Sequence, residues 1–158
     1  MKNIIKIVAA AVTMMLLASA PIKASENGLI HHVGEDGVHY LAMQISDNNP
    51  QKMTTVLNVA TNVTKYYQGI GEEVEIRIVA FNAGLHMLRE DTSPVLERLN
   101  SFGQSMPNVT FAACGNTISG MTRKEGKAPP IVEIAEHVPA GVVDLMTLNE
   151  AGWTMIRP

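Results

Sequence analysis

The chain reads as an α/β domain with parallel strand pairing and helices on both faces of the sheet. Three observations lead there. Short apolar runs recur along the chain, stretches with helical spacing lie between them, and Gly, Pro or Asn clusters mark the junctions. Strands that alternate with helices need crossover connections, and such crossovers make neighbouring strands parallel and the connections right-handed. Composition agrees: 46% of the 158 residues are hydrophobic, enough to bury a core, and the 1 cysteine cannot form an intrachain disulfide.

Residues 1–24 read as a secretory signal. Lys2 and Lys6 precede an apolar run from Ile7 to Ala18, and Ala24 offers a small residue before a cut at Ser25. The alternative cut after Ala20 would put Pro21 next to the scissile bond, which signal peptidases resist. The run is shorter than the roughly 20 apolar residues a bilayer span requires, and no later stretch approaches that length. No cysteine follows the run to take a lipid anchor, so the expectation is an unanchored periplasmic protein. Without Lys2, Lys6 and Lys23, 9 of the 12 basic residues face 15 acidic ones. The resulting charge of about −6 disfavours nucleic acid.

Residues 25–37 mix Gly, His and acids without periodicity and read as a flexible lead-in to a single domain spanning 38–158. His39 to Ile45 is a short buried strand. Asn49 is placed to cap a helix and Pro50 to occupy its first position, where a missing N–H costs nothing. Met53, Val56, Leu57, Ala60, Val63 and Tyr67 recur on one face of that helix, which Gly69 and Gly71 can end. Val74 to Phe81 begins by alternating and finishes apolar, as a strand does on its way into the core.

A short helical segment is expected near Leu85 to Leu88, then a helix from Ser93-Pro94 with Val95, Leu96, Leu99 and Phe102 inward and Gly103 at its end. Val109 to Ala113 is a third strand, followed by a helix from about Asn116 to Glu125 and a loop through Pro130. Ile131 to Val138 reads as a helical piece giving way to a brief strand near His137. Gly141 to Ala151 has helical spacing, Gly152 can stop it, and Trp153 to Arg157 makes a terminal strand.

In an open parallel sheet, ligands bind beyond the carboxyl ends of the strands. The rule selects Ser46 to Asn49, Asn82 to Gly84 with His86, Cys114 to Thr117, and Pro139 to Gly141. Neither a phosphate loop nor a dinucleotide fingerprint occurs, so nucleotide binding has no support and no cofactor is expected. Cys114 is the one well-placed nucleophile, because the dipole of a following helix favours thiolate over thiol. A small buried residue at a strand end is the competing reading of the same position. His86 sits just past the second strand, where it could polarise or deprotonate Cys114 if its loop folds inward, and otherwise faces solvent. His31, His32, His39 and Asp36 lack ligand-grade spacing, and the methionines outside the signal are scattered rather than clustered for copper, most of them read as core fillers.

Taken together, several stretches carry a resemblance. The run from His39 through Asn82-Ala83-Gly84-Leu85, then Phe111-Ala112-Ala113-Cys114-Gly115-Asn116-Thr117, then Val138-Pro139-Ala140-Gly141-Val142-Val143 and the ending Gly152 to Pro158, resembles the DsrE/DsrF-like family of sulfur-transfer proteins. The resemblance covers nearly all of residues 38–158. It implies a three-layer α/β/α domain with a mostly parallel five-stranded sheet, assembled as a homotrimer or homohexamer. It implies further that Cys114 carries sulfur as a persulfide between thiol-bearing donor and acceptor proteins. Asn82, Gly84, His86, Gly115, Asn116 and Thr117 would then line the site around Cys114. A binding or assembly module of the same fold, with Cys114 inert, is the alternative.

Overall fold

The computed structural model describes residues 33–158, so the expected signal, His31 and His32 lie outside the described residues. Five strands form one sheet: β1 (Val38–Ile45), β2 (Glu73–Ala80), β3 (Val109–Cys114), β4 (Ala135–Val138) and β5 (Thr154–Ile156). Their spatial order is β4-β3-β2-β1-β5, and every pairing is parallel. Helices α1 (Pro50–Gly69), α2 (Leu96–Ser105), α3 (Gly115–Glu125) and α4 (Gly141–Glu150) make the crossovers, and a 3₁₀ segment at Asn82–Leu88 precedes α2. The expected α/β class with its five-stranded parallel sheet is the observed one.

The sheet's alternation sorts its side chains between two unequal layers. On one face Leu41, Met43, Ile45, Ile76, Ile78 and Phe111 join Met53, Val56, Leu57 and Ala60 of α1 and Leu99 and Phe102 of α2 in the larger core. Ile118 and Met121 of α3 pack against that same core, partly buried. On the other face Ala42, Val79, Ala112 and Val138 meet Leu145 of α4, with Leu148 and Trp153 alongside. Three helices therefore cover one face and α4 alone covers the other. Arg77 of β2 helps to hold α4 in place through its Nε, 2.8 Å from Asp144 Oδ2, while its guanidinium also pairs with Glu136 of β4 at 2.9 Å.

Helix α1 starts as its residues dictate: Asn49 Oδ1 accepts hydrogen bonds from the N–H groups of Gln51 (2.9 Å) and Lys52 (3.2 Å), and Pro50 follows. Four expectations need correction. Gly103 lies inside α2 rather than at its end, and a Cβ there would meet Ile134 Cγ2 at 2.6 Å, so the glycine makes room for a packed side chain. Helix α2 begins at Leu96, later than Ser93, because Ser93 Oγ accepts from the Val95 N–H and donates to the Met87 carbonyl, which makes a turn of Ser93–Val95. Residues 131–134 are not helical. Their backbone is committed elsewhere, with Val132 N–H donating to Leu88 O and Ile131 bridging Arg89. The last residues of the expected lead-in are folded into a turn, closed by Gly37 N–H to Gly34 O and by Asp36 accepting from both the Val38 N–H and the Tyr40 hydroxyl.

Candidate functional site

Strand order locates the site before any side chain does. The helices following β1, β2 and β3 pack on one face, whereas α4, which follows β4, packs on the other. The crevice between diverging helices therefore opens at the carboxyl ends of β3 and β4, the switch point where α/β sheets bind ligands. Cys114 ends β3, opposite Val138 in the register with β4. A cleft of about 580 Å³ lies there, with Cys114, Asn82, His86, Asn116, Thr117 and Gly141 among its lining residues. That size falls within the range of small-molecule pockets.

Cys114 is itself the N-cap of α3, with an extended backbone. The residue is only 5% exposed, and burial pushes the thiol's pKa up. The Thr117 hydroxyl and the backbone N–H groups of Gly141, Thr117 and Asn116 oppose burial and prevail, leaving the thiol below its ordinary value. The sulfur makes no cap hydrogen bond of close geometry, so these groups act as dipoles gathered around it. All three N–H groups belong to helix N-termini, Asn116 and Thr117 to α3 on one side and Gly141 to α4 on the other, where N–H groups without an intrahelical partner carry partial positive charge. The Asn116 N–H is shared, since it also donates to Pro139 O at 3.2 Å.

The Thr117 hydroxyl has a fixed role. It accepts from the Asn82 N–H at 2.9 Å, which leaves its own proton for the sulfur. Asn82 presents that N–H from a left-handed backbone, φ 49°, a conformation that asparagine tolerates better than most residues. Gly115 and Gly141 let the backbones close in: a Cβ on Gly115 would lie 3.0 Å from Val138 O, and one on Gly141 3.3 Å from Cys114 Cβ. Gly84 works beneath the site rather than in it. A Cβ there would fall 2.2 Å from Ile45 O, so this glycine seats the 3₁₀ segment on the end of β1.

His86 lines the cleft half-buried, its Nδ1 2.8 Å from Thr92 Oγ1, which leaves Nε2 as the ring's other hydrogen-bonding position. Helix α3 extends the site from the expected Thr117 along a wall that residue-by-residue reading missed, with Gly120, Met121 and Lys124 also lining the cleft. Their i, i+3, i+4, i+7 spacing was visible in the sequence. Behind that wall Arg89, 3% exposed, spans two carboxylates. Its Nε and one terminal nitrogen each lie 2.8 Å from Asp91, and its terminal nitrogens lie 2.6 and 2.9 Å from Glu125. These partners hold the guanidinium charged and keep both carboxyls below their ordinary values, and the fork ties the 3₁₀ segment to the end of α3.

The remaining candidates lie apart. His39 is buried on the α1 side of β1, stacked on Tyr67 with its Nε2 2.7 Å from Glu72, while Asp36 is engaged by Tyr40. Among the described residues no group of three or more His, Cys, Asp or Glu side chains could hold a metal. Met43, Met53 and Met87 fill the core, as their scatter suggested.

No family model matches the chain, and no curated protein matches it. A solved structure does. It is the protein of unknown function MTH1491 from Methanobacterium thermoautotrophicum, 25% identical, with a TM-score of 0.62 over 76% of this chain and 99% of that one. The likeness covers the α/β fold described above.

Proposed function

We propose that this protein is a DsrE/DsrF-like sulfur carrier of the periplasm, in which Cys114 takes up a sulfane sulfur, holds it as a persulfide and passes it to a partner thiol. The observation that carries the reading is the set of N–H and hydroxyl dipoles around one thiol at the floor of the cleft. Persulfide transfer needs a thiolate able to attack sulfur and little other machinery. The site matches that economy, with no second thiol among the described lining residues. Self-association as a trimer or hexamer belongs to the same reading. It agrees with the exposed apolar residues Val142, Val143 and Met146 on α4, the only helix on its face of the sheet among the described residues.

One observation favours the alternative of an assembly module with an inert cysteine: the thiol is nearly closed to solvent. Intact mass after exposure to polysulfide separates the two. A carrier gains one sulfur atom that reductant removes and that Cys114→Ser does not acquire; an unmodified wild-type protein would favour the assembly module.

A further inference from the structure

The cleft's charges bear on what supplies the sulfur. Among the described residues Glu125 is the one acidic residue lining it, and both of its oxygens are taken by Arg89 at 2.6 and 2.9 Å. Lys124 stands exposed on the same rim with no carboxylate within ion-pair distance among the described residues, and His86 presents a ring nitrogen. At the floor, N–H groups from two helix starts surround Cys114. A cation would find the Met121 sulfur already facing the Arg89 guanidinium at 3.6 Å and Lys124 beside it. An anion would find donors at rim and floor.

We propose, resting on the carrier reading above, that the sulfur donor is a small thiosulfate-type anion that enters between Lys124 and His86 and meets Cys114 at the cleft floor. The Cys114 thiolate attacks the outer, sulfane sulfur. The new S–S bond forms the persulfide, the S–S bond of thiosulfate breaks, and its electron pair leaves with sulfite. One disulfide-type bond replaces another, so no external oxidant or reductant is needed. Lys124 and the helix N–H groups would hold the sulfonate oxygens, whose charge stays on the departing sulfite.

The test compares two rates on the mature protein: sulfur gained by Cys114 from thiosulfate, read by intact mass, and alkylation of Cys114 by neutral iodoacetamide. Lys124→Gln should lower the ratio of the first rate to the second roughly tenfold, the low end of what a charge-lined cleft gives an on-rate. Lys124→Arg should restore the ratio, and high salt should lower it in the unaltered protein without any substitution. A ratio insensitive to Lys124→Gln and to salt would overturn the proposal. So would a Cys114 that gains sulfur from polysulfide but none from thiosulfate, which leaves the carrier reading intact and assigns the donor role to a protein-borne persulfide. Failure with both donors would remove the carrier reading and the proposal together.

Discussion

Two strand-to-helix turns at the same end of the sheet are built on opposite plans. After β1, Asn49 caps α1 with a side-chain oxygen that takes two of its free N–H groups. After β3, the cap of α3 is Cys114, which offers no oxygen and makes no close cap bond. The first turn is closed by its own chemistry, and Lys52 adds a 2.7 Å ion pair to Asp47. In the second, N–H groups remain directed at a sulfur that lines a cleft. The same backbone design thus yields a self-capped joint or one whose N–H groups gather around a thiol, according to one side chain, and the thiol-bearing one lies where the flanking helices diverge.

The largest expected effect disturbs the ground the two turns share. Gly84→Ala forces a methyl to within 2.2 Å of Ile45 O, against backbone that cannot yield as a flexible side chain would. It should cost about 3 kcal/mol of unfolding free energy in urea, near the upper end for overpacking. Thr117→Val comes next and acts on the thiol-bearing turn and on the Asn82 N–H that its hydroxyl accepts from. Removing the hydroxyl should raise the Cys114 pKa and slow its alkylation at neutral pH roughly tenfold, as loss of a hydrogen bond to a charged group implies, while Thr117→Ser should retain the wild-type rate. Asn49→Ala acts on the closed turn alone. It should cost about 1 kcal/mol of stability and leave Cys114 labelling unchanged.

Much of this contrast could be read from residues in order. Asn49-Pro50 announces a capped helix start, and Cys114-Gly115 announces a strand end followed by a helix without an oxygen cap. Pairings that join distant segments left no such mark. The Asn82 N–H to Thr117 bond spans 35 residues and the Arg89 to Glu125 pair 36, and nothing local distinguishes these side chains from solvated ones. Residues 131–134 misled for a related reason. Their apolar spacing suits a helix, but the bridge between Ile131 and Arg89 outweighs that weak propensity. Gly84 and Gly103 misled because a glycine required by close packing looks the same in sequence as one that lines a site or ends a helix.

A smaller effect concerns the support behind the thiol-bearing turn. Arg89 lowers the pKa of Asp91 and of Glu125, so its contribution is fully present above the ordinary carboxylate range and is lost as pH falls through their lowered values. Arg89→Gln should flatten the acid limb of a stability-versus-pH curve, modestly, because both carboxylates remain partly solvated. An acid limb as steep as that of the unaltered protein would mean that the fork does not couple the 3₁₀ segment to α3.

The pH profile of Cys114 alkylation in the folded protein tests the central claim most directly. An uncapped α3 start, a neighbouring α4 start and the Thr117 hydroxyl together favour thiolate. The alkylation midpoint should therefore lie below the roughly 8.5 of a free thiol, with rapid labelling near neutral pH that is lost on unfolding. A midpoint at about 9 or above, with slow labelling until the chain unfolds, would contradict the account and identify Cys114 as a buried structural residue.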